Sequence, residues 1–330
     1  MGTQFTPPIG LKNPHMQTIF SSVGPRRFKV RNCFKKYIHQ QKQVILACDD
    51  GVRLEGFLNT TNTKVGDNKK VVILIHGWLG NAESSYMLSM AAAFLDSGVD
   101  VLRLNLRDHG DTHYLNREIF NSTMIQEVIS GLEGFQSRYN YDQYNLVGFS
   151  LGGNFCLRVA ALAHDRNITL EKVITFCPAL NPKHIYDALN DPKNKLYNQY
   201  FVRKWKKSLR QKLKYFPDYQ YRDQLDSMTS LKQMNEQLVP EYTPFPDVKS
   251  YFDAYTITGD FLNETICPCY LYFAADDMII PNKDIPLLAD NPDLHINVSD
   301  YGGHCGFITS WKFESWQDQV AVQLVMQEQE

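Results

Sequence analysis

The stretch "YNLVGFSLGGN", residues 144–154, sets Ser150 between Gly148 and Gly152 in a Gly-x-Ser-x-Gly pattern that follows an apolar run and precedes a helix-spaced one. That context fits a sharp strand-to-helix turn, where two glycines let the flanking segments pack closely and lift the serine hydroxyl out as a nucleophile. The alternative is a glycine-rich helix start that binds phosphate through backbone N–H groups. An unactivated hydroxyl is a weak nucleophile, so the first reading needs a base and a carboxylate that orients the base. Downstream, "YLYFAADDMIIP" closes an apolar run with Asp276 and Asp277, and "DYGGHCGF" sets His304 in a glycine-flanked loop. We therefore expect Ser150 as nucleophile, His304 as general base and Asp277 as the orienting acid, with Asp276 the alternative.

Ester cleavage by such a serine passes through a tetrahedral oxyanion, which needs preorganised donors. The backbone N–H of Leu151, next after the nucleophile, is one expected donor. Trp78 N–H in "HGWLGN" is the other, because Gly77 would let that loop approach. "RLNLRDHGDTHYLN" groups Asp108, His109, Asp111 and His113 and could be taken for a metal cluster. It lacks the helical His-x-x-x-His face of a metalloprotease, so a hydrogen-bonded wall of the site is expected and no metal. "CPC" at Cys267 and Cys269 has no second ligand pair for zinc.

Placing these residues on one rim requires a particular scaffold. "QVILACDDGVRLEGFLN" reads as an antiparallel hairpin turning at Asp-Gly. The runs "VVILIHG", "VDVLRLNL", "YNLVGFS", "KVITFCP", "CYLYFAADD" and "LHINVSDYGG" then alternate with helical patterns, one carrying Ile125, Val128, Ile129 and Leu132. Continuously apolar strands separated by helices imply an α/β fold with a mostly parallel sheet covered on both faces. Residues 181–255 contain no convincing strand and are expected to form a helical cap insertion within a single domain spanning 1–330.

Inside that insertion, "YFVRKWKKSLRQKLKYF", residues 200–216, repeats Phe201, Trp205, Leu209, Leu213 and Phe216 at helical spacing, with Lys or Arg at seven of the other positions. Two readings stand: a lid helix packed on its own domain with a solvated basic face, or a helix touching a lipid surface with its cations on phosphate head groups.

Composition narrows the classes. The formal charge of −2 gives no reason to expect nucleic acid as a partner. Seven scattered cysteines, several inside apolar runs, suggest reduced core residues of a cytoplasmic protein. No run reaches the length of a membrane span and no signal-peptide pattern occurs. The myristoylation-like "MGTQFT" and the glycosylation-like "NST" at Asn121 are short enough to be coincidental.

Taken together, "LKNPHMQTIF", "NLRDHG", "GFSLGGN", "FPDVKSYFDAY", "AADDMIIP" and "GGHCGF" resemble, in order, the α/β-hydrolase superfamily and more narrowly its YheT-like branch, AB-hydrolase type 4. The resemblance implies the triad positions Ser150, Asp277 and His304, and cofactor-free esterase or lipase-like hydrolysis of a small-molecule or lipid ester. Acyl transfer or thioester cleavage through the same acyl-enzyme, and lipid binding without catalysis, are the alternatives. The chain departs from the family at Met278, where proline is common, and in "RDHG", where a small residue often follows "RG". "NPHMQT" suggests no chemical role for His15 or Gln17.

Overall fold

The computed structural model describes residues 5–61 and 69–327. Gly2 of the myristoylation-like pattern lies outside the described residues. The hairpin forms from β1 (Gln41–Ala47) and β2 (Arg53–Asn59), paired antiparallel. Its turn needs left-handed backbone, which Asp50 (φ 56°) and Gly51 (φ 74°) supply.

The apolar runs become β3 (Lys70–Ile75), β4 (Asp100–Asn105), β5 (Gln143–Phe149), β6 (Lys172–Phe176), β7 (Cys269–Ala274) and β8 (Leu294–Ser299). They join the hairpin in one eight-stranded sheet of order β1-β2-β4-β3-β5-β6-β7-β8. β2 meets β4 antiparallel, and every pairing from β4 through β8 is parallel. Strand alternation divides one buried run between two cores: Val72 and Leu74 of β3 face one side, Val71, Ile73 and Ile75 the other.

On the first side lie α2 (Pro25–Ile38), α3 (Ser85–Asp96) and α10 (Trp316–Met326), and on the second α4 (Ile125–Arg138) and α5 (Leu151–Leu162). A short α1 (Pro14–Ser22) precedes α2. The chain passes from β3 to β4 on one side and then to β5 on the other, so the loops after β3 and β5 are neighbours at the point where the winding reverses. Open α/β sheets bind ligands at that place.

Between β6 and β7 the chain forms α6 (Pro182–Asn190), α7 (Lys195–Tyr215), α8 (Leu231–Tyr242) and α9 (Val248–Asp253), with no strand. Polar contacts tie this segment to loops beyond the strands' carboxyl ends. Lys204 Nζ donates to Leu79 O at 2.8 Å, Asn194 Nδ2 donates to Met278 O at 2.9 Å, and His184 pairs with Asp284 at 2.6 Å.

α7 carries the basic aromatic stretch, and the expectation of a solvated basic face fails at one of its cations while Arg203, Lys207, Arg210 and Lys214 are exposed. Lys212 is buried, 1% exposed in its side chain, with Nζ 2.8 Å from Asp108 Oδ1. It also donates to the carbonyls of Asn116 at 2.6 Å and Glu118 at 3.2 Å. A lysine stem is long enough to cross the helix flank and deliver its charge to a buried carboxylate, which residue type alone does not reveal.

Cys156, Cys177, Cys267, Cys269 and Cys305 are buried free thiols, whereas Cys33 is exposed, contrary to a purely core role. Asn121 is buried and its Oδ1 accepts from Thr123 N at 3.1 Å, a local turn rather than an exposed acceptor. No helix among the described residues is long and apolar enough to cross a membrane.

Candidate active site

β5 ends at Phe149 and α5 begins at Leu151, leaving Ser150 alone in the turn with φ 53° and ψ −117°. That conformation is costly for a residue with a side chain and persists only where the surroundings fix it. A Cβ on Gly148 would stand 2.5 Å from Gly152 O, and one on Gly152 would stand 2.2 Å from Ile75 O, so both motif glycines are sterically required. Ser150 N donates to Phe176 O at 2.9 Å, and Ser150 O accepts from Ala179 N at 3.1 Å. The elbow is thereby locked to β6 as well as to its own helix.

Ser150, His304 and Asp277 lie in one hydrogen-bonded line. Ser150 Oγ is 3.0 Å from His304 Nε2, and His304 Nδ1 is 2.8 Å from Asp277 Oδ2. With Asp277 accepting, the proton belongs on Nδ1 and the Nε2 lone pair faces the hydroxyl. Asp277 is itself held, its Oδ1 accepting from Ile279 N at 2.8 Å and Ile280 N at 3.0 Å. Asp276 points elsewhere, accepting from Gly303 N at 2.8 Å, and burial raises its carboxyl above the usual range. Burial opposes charge on His304, but the Asp277 carboxylate and the Cys305 thiol outweigh it and raise the imidazole to about 9.

The His304 loop is shaped from far away in sequence. Thr18 Oγ1 of α1 accepts from His304 N at 2.8 Å and donates to Pro14 O at 2.8 Å. Gln17, fully buried, donates to Leu11 O at 2.8 Å and accepts from Ile308 N at 2.7 Å. A Cβ on Gly303 would stand 2.5 Å from Pro14 O, so α1 fits against the loop only because that residue is glycine. The "NPHMQT" segment, opaque in sequence, thus braces the backbone that carries His304. His15 Nδ1 lies 3.0 Å from Tyr197 OH and links α1 to α7.

Two thiols also adjoin the site without any prior signal beyond their position. Cys305 N–H donates to Cys177 Sγ at 3.4 Å, and the Cys305 thiol donates to Phe176 O at 3.3 Å. Burial opposes ionisation of Cys305, yet the contacts with Cys177 and His304 outweigh it and lower the thiol.

On the opposite side of Ser150 sits the "HGWLGN" loop after β3. A Cβ on Gly77 would lie 3.3 Å from Ser150 Cβ, so the loop's approach depends on that glycine. Leu151 N–H opens α5, where no intrahelical acceptor exists. Trp78 N–H donates to no acceptor among the described residues. Both residues line the cavity. Two buried histidines stiffen the loop: His109 Nε2 accepts from Leu79 N at 3.0 Å, and His76 Nε2 accepts from Leu106 N at 3.2 Å. Burial lowers His109 to about 4 and His76 well below the usual imidazole range, so both brace the loop as neutral rings. The other members of that cluster diverge. Asp108 pairs with Lys212, His113 Nε2 meets Ser208 Oγ at 2.8 Å, and Asp111 is exposed.

Above Ser150 opens a cavity of about 940 Å³ bounded by α1, the loop after β3 and the helices α6–α9. Its volume lies in the upper part of the roughly 300–1,000 Å³ usual for ligand sites. The walls are largely aromatic and aliphatic, including Tyr186, Leu238, Tyr251 and Phe252. Phe201 of α7 stacks on Trp78 at 5.3 Å, joining the α7 aromatic stripe to the loop after β3.

The sheet order, the strained serine turn and the insertion after β6 define the α/β-hydrolase fold. Residues 70–204 match the family described as alpha/beta hydrolase fold. An abhydrolase domain-containing protein of Dictyostelium discoideum is 21% identical, the match covering 98% of this chain and 80% of that protein. Phospholipase ABHD3 of Homo sapiens is also 21% identical, covering 88% of this chain and 73% of that protein. Among solved structures, an esterase of Pyrococcus furiosus superposes with a TM-score of 0.58 at 15% identity, over 99% of this chain and all of that one.

Proposed function

We propose that the protein is a serine hydrolase of the YheT-like kind that cleaves carboxylic esters through an acyl-enzyme. The carrying observation is the unbroken contact from Ser150 Oγ through His304 to Asp277 at the floor of an apolar cavity. His304 Nε2 takes the Ser150 proton as Oγ attacks the ester carbonyl, and Asp277 stabilises the resulting imidazolium. The oxyanion is received by the N–H groups of Leu151 and Trp78, each worth on the order of 3 kcal/mol in such sites. His304 then protonates the leaving alcohol, and on the return cycle it deprotonates the water that releases the acid.

An aromatic and aliphatic cavity favours an acyl chain over a polar acyl group, and the phospholipase and esterase named among the similar proteins support a lipid ester as substrate class. No cofactor or metal takes part in the steps proposed. Hydrolysis of a p-nitrophenyl ester series from acetyl to palmitoyl, with Ser150→Ala alongside, tests the reading. Serine-dependent turnover with a chain-length optimum is expected. Turnover that survives Ser150→Ala in the purified protein would refute it.

A further inference from the structure

Three helices meet around the cavity mouth and together turn apolar and cationic side chains outward there, the cations coming from α2 and α7 and the segment before α7. On α7, Leu196, Tyr200, Arg203 and Lys207 line the mouth at spacings of four, three and four, a single helical stripe. The packed side of the same helix holds Val202, Leu209 and Lys212. On α2, Arg27 and Arg31 line the mouth one turn apart while Arg26, Val30 and Phe34 are buried. Ile19 of α1 and Val23, its C-cap, complete the rim.

Exposure makes the rim unusual. Leu196 is 79% exposed. Ile19, Val23 and Tyr200 are exposed too. Scattered exposed aliphatics need no explanation, but a cluster around a cavity entrance marks an interaction face. The cations Arg27, Arg31, Lys193, Arg203 and Lys207 also line it, and none forms an ion pair among the described residues. Glu83 is the carboxylate of the described lining, and Arg103 already neutralises it at 2.6 Å. The mouth is therefore positive on a chain whose formal charge is −2.

We propose that this rim docks on an anionic lipid bilayer, so that the cavity opens directly into the interface. Side chains such as Leu196, Tyr200 and Val23 enter the boundary between head groups and acyl chains, while the arginines and lysines meet lipid phosphates. Charge complementarity selects an anionic surface. The interleaved apolar residues fit a bilayer, whose interface takes up apolar and cationic side chains together. The proposal extends the lipid-ester reading by saying how substrate reaches Ser150, yet binding itself needs no turnover.

The test is therefore made on the full chain carrying Ser150→Ala, by co-sedimentation with vesicles of phosphatidylcholine alone or mixed with phosphatidylglycerol. Binding is expected to the anionic vesicles, to be weak on the neutral ones, and to fall as salt is raised from about 0.05 M to about 0.5 M. Each basic residue at such a surface is worth roughly fivefold in partitioning, so the Arg27→Glu, Arg31→Glu pair should lose at least tenfold. Leu196→Ser with Val23→Ser should lose several-fold without a change in salt slope. Equal binding to both vesicle types overturns the proposal, as does full binding by the charge-reversed protein. Binding indifferent to Leu196→Ser and Val23→Ser also overturns it, since the site would then be an anion patch suited to an acidic polymer. The salt and lipid dependence of the Ser150→Ala chain decides the matter even where a rim variant folds poorly. Failed binding beside intact ester turnover by the native chain would leave the hydrolase reading standing.

Discussion

Replacing Lys212 by methionine removes the charge that pins α7 to the loop after β4. Methionine keeps most of the stem's volume, so packing changes little and the electrostatic loss dominates. Asp108, 4% exposed, would keep its buried carboxylate with Phe120 N–H as its remaining donor, at 2.9 Å. The carbonyls of Asn116 and Glu118 would lose a donor as well. Removing one partner of a buried pair costs about 3–5 kcal/mol, because the other charge is left uncompensated. At an unfolding entropy of about 2.1 cal/mol/K per residue, a chain of 330 residues loses about 4–7 °C in Tm for that change. Differential scanning calorimetry measures it directly. Asp108→Asn added to Lys212→Met removes the orphaned charge and should recover part of the loss. A drop below about 1 °C for the single variant, or a double variant less stable than the single, would refute the assignment of Lys212 as a buried anchor.

The remaining predictions concern the histidine loop. In the proposed mechanism His304 must be neutral to act as base, and Asp277 holds its imidazole near 9. kcat/KM on a soluble ester should therefore rise with pH through the range up to about 9, and Asp277→Asn should move that limb toward acid while lowering the plateau. A limb at or below the ordinary imidazole range in the native protein would contradict this. For stability the sign is the reverse: the raised value adds stability that is fully present below about 6.5 and is lost as pH climbs through about 9, visible as a falling Tm. Thr18→Val removes the acceptor for His304 N–H. Misplacing a catalytic group by about 1 Å can cost up to a hundredfold, so kcat should fall roughly ten- to a hundredfold with KM little changed. An unchanged kcat would show that α1 does not position the base.

Local geometry explains what the sequence made readable. Gly148, Ser150 and Gly152 lie within five residues, and the turn they form is determined by their own backbone requirements and the strand and helix beside them. The runs that became β3 through β7 were readable because a sheet buried on both faces demands uninterrupted apolar residues, whereas β8, expected to be covered like them, is an edge strand with Ile296 and Val298 exposed. Asp277 could be ranked above Asp276 from its offset to the following proline, and the two side chains do diverge, one to His304 and the other to Gly303 N–H.

The unreadable parts depend on distant partners. Thr18 and His304 are 286 residues apart, and nothing in "NPHMQT" announces that its threonine will cap a loop near the other end of the chain. Lys212 sits among six other basic residues of residues 200–216, and only the tertiary placement of Asp108 singles it out. The pairing of Cys177 with Cys305 beside His304 likewise requires β6 and the His304 loop to be adjacent in space.

The most direct test of the central claim is covalent. An alkyl fluorophosphonate reacts with a serine only when a neighbouring base activates it and donors receive the developing oxyanion. Intact-protein and peptide mass spectrometry should find one adduct per chain, on Ser150, absent from Ser150→Ala and strongly slowed in His304→Ala. A folded protein that leaves Ser150 unlabelled, or that labels equally well in Ser150→Ala, would contradict the account.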